Sequence, residues 1–165
     1  PHFKTHQSVE IGKWFRQSGV EKITVSSVQM AQYFANHGWQ DITIAFPFNY
    51  LEIAEINELA AKIELNILLI HPESVKYLRN KLTAEIGVFI EIDCGDHRSG
   101  IPAEDIDEID ALIEAISHLK KLQFKGFLTH SGHTYHTRSI KQIMAIHEVT
   151  RFKMFLLKKQ KIQFL

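Results

Sequence analysis

Lys4 stands in the run Pro1-His2-Phe3-Lys4-Thr5-His6, flanked by imidazoles and a hydroxyl. A lysine amine forms Schiff bases with carbonyls once it is partly deprotonated, and a polar neighbourhood can arrange that. The same hexapeptide also suits a solvated lysine at a frayed end. Arg98 is the second candidate, in Asp93-Cys94-Gly95-Asp96-His97-Arg98-Ser99-Gly100. The glycines on either side free the backbone to bring the guanidinium close to a ligand. Its fixed fork of donors fits a phenolate, carboxylate or phosphate, or alternatively a salt bridge to Asp93 or Asp96. His130 opens the run His130-Ser131-Gly132-His133-Thr134-Tyr135-His136. Its ring could stack on or hydrogen-bond a flat ligand, or simply be a satisfied histidine at a rim. His130, His133 and His136, with Cys94 and His97 on another loop, are side chains that borderline metals accept. Gly132 makes their segment a loop, so three-residue spacing enforces no shared face, and no metal site is expected here. Glu91 and Asp93 alternate with Ile90 and Ile92, which places both carboxylates on one side of a strand. They could orient Lys4 or Arg98, or merely pair with them.

The elements that must position these groups alternate along the chain. Apolar runs at His2–Lys4, Ile23–Ser26, Ile42–Phe46, Asn66–Ile70, Val88–Asp93 and Gly126–His130 read as strands. Between them, Val9–Ser18, Val28–His37, Tyr50–Ile63, Glu73–Leu82, Ala103–Leu119 and Thr137–Lys158 carry helical periodicity. Ser26-Ser27-Val28-Gln29 has the form of a capping box, Pro72 suits a first helical turn, and Gly19 and Gly38 fall where helices stop. Gly126 is read as opening a strand. Runs such as Ile67-Leu68-Leu69-Ile70 are apolar throughout, as in a parallel sheet covered on both faces. No Gly-x-Gly-x-x-Gly follows the first strand, so the dinucleotide-binding fold lacks its fingerprint. The prediction is an α/β fold, a TIM-type (β/α) barrel. Such barrels run to about 250 residues, so about six of eight βα units are expected here. Lys4-Thr5-His6, Ser26-Ser27, Phe46–Asn49, His71, Asp93–Gly100 and His130–His136 all follow strands, whereas Gly19–Lys22 and Leu122–Phe124 at the opposite ends are chemically plain. The C-terminal ends of the strands are therefore the expected active face.

Bulk properties narrow the class. The 165 residues suffice for one domain, and 45% hydrophobic with 23% charged residues is the composition of a globular protein. Nineteen basic and nineteen acidic residues give zero formal charge, so no global field favours nucleic acid or an anionic membrane. A single cysteine, Cys94, excludes an internal disulfide framework and suits a reducing compartment; the expected setting is cytoplasmic. The chain divides on composition into residues 1–150 and a basic helix or tail over 151–165, which has five basic residues and no acid. That tail and the unit count together lead us to expect an incomplete chain.

Pro-His-x-Lys-Thr-His at the first strand, Asp-x-Gly-x-x-Arg-x-Gly at Asp93–Gly100 and Gly-x-x-x-His-x-Gly at Gly126–Gly132 resemble the fold-type III pyridoxal-phosphate enzymes. Within that group the chain looks like the D-threonine aldolases and D-serine dehydratases, with the alanine racemase N-terminal barrel more distant. The resemblance covers the chain to about Thr150. It implies that Lys4 holds pyridoxal 5'-phosphate as a Schiff base and serves as a base at the substrate Cα. It implies that Arg98 bonds the cofactor's 3-oxygen and that His130 packs on its ring, with Thr5 and Tyr135 nearby. Glu91 stands where alanine racemases carry a lysine, which speaks against racemization. The implied reaction is dehydration or retro-aldol cleavage of a D-3-hydroxy amino acid, assisted by a divalent zinc or manganese whose ligands lie outside this chain. The phosphate-binding loops after strands seven and eight are likewise expected outside it. The resemblance further implies a homodimer and a small-molecule D-amino acid substrate, with no nucleic-acid or membrane partner. A non-catalytic pyridoxal-phosphate carrier and an inactive fragment of the enzyme are the alternatives.

Overall fold

Strands and helices alternate through residues 1–161, the part of the chain described by the computed structural model. The helices are α1 (Val9–Gln17), α2 (Val28–Ala35), α3 (Ile53–Ala60), α4 (Pro72–Arg79), α5 (Ile106–Ser117) and α6 (Ile140–Lys161). The strands are β1 (Lys22–Val25), β2 (Asp41–Pro47), β3 (Glu64–Leu69), β4 (Ile86–Asp93), β5 (Ile101–Pro102) and β6 (Leu122–Leu128). Every pairing is parallel: β1, β2, β3 and β4 follow in sequence, and β6 lies beside β4. The two-residue β5 joins only the end of β4, through Ile92 opposite Ile101 and Asp93 opposite Pro102. Ahead of β1, His2 forms a parallel bridge to Thr24, reinforced by Phe3 N–H to Thr24 O at 2.8 Å and Thr24 N–H to Pro1 O at 2.9 Å. Strand order thus follows chain order without the reversal that marks a doubly wound sheet. This is part of a (β/α) barrel.

One strand face carries the main core. Ile23, Ile42, Ile67, Val88 and Ile90 pack there against Phe34, Leu59, Leu78 and Leu112 from the helices. Leu68, of opposite parity, is buried yet lies outside that cluster, as expected of a side chain on the inner face. The helix starts are fixed locally. Ser27 Oγ accepts from Met30 N–H at 3.1 Å, one residue later than the expected box would begin. His71 Nδ1 caps α4 by accepting from Glu73 N–H at 3.1 Å, with Pro72 in the first turn. Gly19 and Gly38 follow α1 and α2 with positive φ.

Three boundaries depart from expectation. The first strand is a single bridge at His2 rather than a strand over His2–Lys4, because Lys4 and Thr5 turn away toward α1. The strand expected at Gly126–His130 begins instead at Leu122, so Leu122–Phe124 is not a plain loop. Gly126 sits inside it with φ +133°, at a register shift opposite Val88 and Phe89, which is a bulge and not a strand start. The last helix starts at Ile140 because a 3₁₀ turn takes Gly132–His136. Helix α6 then continues without a break through Thr150, buries Leu157 in the core and pairs Lys161 with Asp110 of α5. The rest of the expected tail, 162–165, lies outside the described residues. No helix among the described residues is long and apolar enough to cross a membrane.

Candidate functional site

The Lys4 segment is held by the residue before it. Phe3 is fully buried, with its ring 5.0–5.2 Å from Phe15, Phe34 and Trp39 and 4.3 Å from His6. Lys4 follows on an exposed turn at the C-terminal side of the bridge. Its N–H donates to His2 Nδ1 at 3.1 Å, and the Gln7 side-chain amide donates to its carbonyl at 3.1 Å. Thr5 is exposed beside it. Burial, then the positive charges of Lys4 and His130, hold His2 below the usual histidine range. That keeps Nδ1 free to accept the Lys4 N–H.

The loop after β4 is built by its own first residue. The Asp93 carboxylate, with only 9% of its side chain exposed, accepts through Oδ1 from Gly95, Asp96 and His97 N–H at 2.8, 2.9 and 3.1 Å. Burial opposes the charge, but the backbone donors of Gly95, His97 and Asp96 outweigh it and keep Asp93 below its ordinary pKa. Gly100 (φ +98°) lets the chain fold back onto β4: a Cβ there would lie 2.9 Å from Asp93 N and 3.0 Å from Glu91 O. Arg98 projects between these two fixed points and is half exposed. Its Nη2 stands 4.0 Å from Glu91 Oε1, whereas no ion pair joins it to Asp93 or Asp96. Asp93 is committed to the turn, and Asp96 lies against Gly132 with Oδ2 4.0 Å from His130 Nδ1.

Glu91 is on the inner face of β4 and 3% exposed. Its Oε1 accepts from Ser99 Oγ at 2.9 Å, while Oε2 is buried with no hydrogen bond. Burial raises its pKa, against the opposing effects of Ser99, Arg98 and His130. His130, just past β6, also keeps a buried Nδ1 that makes no hydrogen bond, with Asp96 Oδ2 4.0 Å away. Tyr135 is exposed in the 3₁₀ turn and meets the His130 ring edge-on at 6.1 Å. Lys4, Arg98 and His130 thus all lie past the C-terminal ends of parallel strands, with Thr5 beside Lys4, Glu91 beside Arg98 and Tyr135 beside His130. An amine, a guanidinium and two uncommitted buried polar atoms around one mouth suit a flat ligand bearing a carbonyl and an anionic oxygen. Among the described residues, no group of three or more His, Cys, Asp or Glu side chains is placed to hold a metal ion.

The family described as alanine racemase, N-terminal domain, matches residues 2–163. The chain belongs to that family. It is 30% identical over 151 residues to the D-serine dehydratase of Dictyostelium discoideum, covering 82% of this chain and 38% of that protein. It is 26% identical over 146 residues to the 3-hydroxy-D-aspartate aldolase of Paracoccus denitrificans strain Pd 1222, covering 84% and 37%. The solved D-threo-3-hydroxyaspartate dehydratase from Delftia sp. HT23 superposes with a TM-score of 0.89 at 24% identity, over 99% of this chain and 44% of that one. The chain spans about two-fifths of the length of each of these three relatives.

In this alanine racemase N-terminal domain, sequence reasoning missed two contributors to the mouth. Ser99 holds Glu91, and Asp96 lies beside His130. Nothing in the local sequence sets either apart from an ordinary polar loop residue, because their partners come from a strand and from another loop. A cavity of about 240 Å³ opens on the same face between Ser26–Ser27 and Phe46–Asn49. A larger one, about 620 Å³, lies against α6 between Ala103 and Phe152. Its lining does not include Lys4, Arg98 or His130.

Proposed function

We propose that this chain is the cofactor-anchoring part of a pyridoxal-phosphate-dependent lyase acting on D-3-hydroxy amino acids. The observation that carries the reading is the convergence of Lys4, Arg98 and His130 on one face of the partial barrel. The relatives, named as dehydratases and aldolases of D-hydroxy amino acids, supply the substrate class. Lys4 Nζ would hold the cofactor covalently and, once displaced, move the Cα proton of the substrate. The Arg98 guanidinium would donate to the 3-oxygen, and His130 would pack on the ring and exclude water from that side. Thr5 and Tyr135 would border the entrance. Bound there, pyridoxal 5'-phosphate supplies an electron sink for the charge developing at Cα. Loss of the Cα proton and then of the β-hydroxyl as water would give dehydration, whereas removal of the 3-hydroxyl proton with cleavage of Cα–Cβ, leaving a carbonyl at Cβ, would give the retro-aldol outcome. In the whole protein a zinc or manganese ion would act on the substrate hydroxyl as a Lewis acid. None of the described residues is assigned to it. The same reading extends to a homodimer in the cytoplasm, the first of which gel filtration measures directly.

Borohydride reduction after adding pyridoxal 5'-phosphate should fix the cofactor on Lys4, located by peptide mass spectrometry. A label that persists elsewhere in Lys4→Ala, or no label at all, overturns the assignment. D-Threonine, D-serine and D-3-hydroxyaspartate, assayed with and without Mn²⁺ or Zn²⁺, then separate lyase from carrier. Labelling without turnover of any of them leaves a carrier.

A further inference from the structure

Glu91 has no assigned task in that reading, yet it is a carboxylate buried to 3% exposure at the mouth. It lies on β4, which pairs with β3 along one edge and with β6 along the other, so its backbone has little freedom. It stands opposite Leu128 in the register, two residues before His130, and points to the same interior. Ser99 satisfies Oε1, but Oε2 is buried and receives no hydrogen bond. A buried carboxylate oxygen without a donor is unfavourable, and the cation paired with this carboxylate is Arg98, whose Nη2 stands 4.0 Å from the other oxygen, Oε1. The loop carrying Arg98 is fixed at both ends, by the Asp93 carboxylate and by the Gly100 fold-back. Side-chain torsions alone therefore separate the observed position from full engagement. A guanidinium bound by two of its donors to a carboxylate keeps three for another partner, in a fixed plane.

We propose that Glu91 is a positioning residue for Arg98: its buried carboxylate arrests the guanidinium at the mouth and turns the remaining N–H donors toward an anionic ligand oxygen. The identity of that ligand rests on the function proposed above. The restraint on Arg98 does not, since it belongs to the unliganded chain.

Two measurements test this separately. The first is modification of arginines by phenylglyoxal, followed by peptide mass spectrometry, with exposed Arg138 as internal reference. In the unsubstituted chain Arg98 should react at least threefold more slowly than Arg138. Glu91→Gln keeps the shape but loses the charge, and should abolish most of that protection. Ser99→Ala frees Oε1 for the guanidinium and should leave Arg98 equally or better protected. A loop merely loosened by substitution would instead react faster in both variants, and that result overturns the proposal. So does equal reactivity of Arg98 and Arg138 in the unsubstituted chain, a comparison that needs no variant to fold. The second measurement is half-saturation of Lys4 labelling by pyridoxal 5'-phosphate and by its 3-O-methyl analogue. Glu91→Gln should weaken the first several-fold and leave the second unchanged; equal weakening of both counts against positioning. If Lys4 is not labelled even in the unsubstituted chain, the proposed function fails, while the phenylglyoxal comparison still decides the role of Glu91.

Discussion

Asp93 contributes through bonds to its own loop rather than to an ion partner across the site. Three charge-assisted donors converge on one oxygen, so Asp93→Asn should lower stability on the order of 1–3 kcal/mol, measured by denaturant unfolding. Its folded pKa is depressed, so the carboxylate's contribution is fully present above the unfolded value and is lost as pH falls through the folded one. His2 behaves in the same sense for a different reason. Burial and neighbouring positive charge lower its folded pKa, so its unprotonated Nδ1 holds the Lys4 N–H above the unfolded pKa and releases it as pH falls through the folded one. An NMR titration should place His2 below the usual histidine range, and Lys4→Met should move it back upward. Lys4, Arg98 and His130 were legible as single residues because their types are reactive and their flanks unusual. The task of Asp93 was not, since a carboxylate that accepts from its own following turn leaves the same sequence trace as one awaiting an arginine.

At the scale of elements, the two ends of the site are held by unlike means. Phe3 adds aromatic packing to the backbone bridge that holds the first segment, and Phe3→Ala should cost about 3–5 kcal/mol in the melting of the chain. It should also reduce borohydride labelling of Lys4, since the turn loses its hold. The loop after β4 depends on backbone approach instead. Gly100→Ala would require both a positive φ and displacement of Asp93 or Glu91 backbone, so it should destabilise by more than about 1 kcal/mol. It should also erase the protection of Arg98 from phenylglyoxal. Periodicity located the helices and the longer strands to within a few residues; it missed the two-residue β5, overextended the first strand, and failed where one glycine had two readings. Gly126 looks like a strand opening after a polar stretch, but the bulge it supports depends on the register with β4, which no local pattern reveals.

On the scale of the whole molecule, α6 ties the last unit to the rest. Leu157 is buried in the common core, while Lys153 pairs with Glu104 and Lys161 with Asp110. Leu157→Ala should therefore cost about 2–5 kcal/mol in chemical denaturation. If residues after Thr150 were an appendage, the same substitution would be neutral. The composition of the segment, basic and without acids, hid this role because its acidic partners reside on other elements.

The order of the strands carries a consequence for how such a chain is made. Because each strand pairs with one already laid down, a ribosome delivers the sheet in the order in which it assembles, and every addition closes only a modest loop. The mouth is the exception. Lys4 precedes β1 and His130 follows β6, so the groups that border the mouth meet only after the strands between them have been delivered.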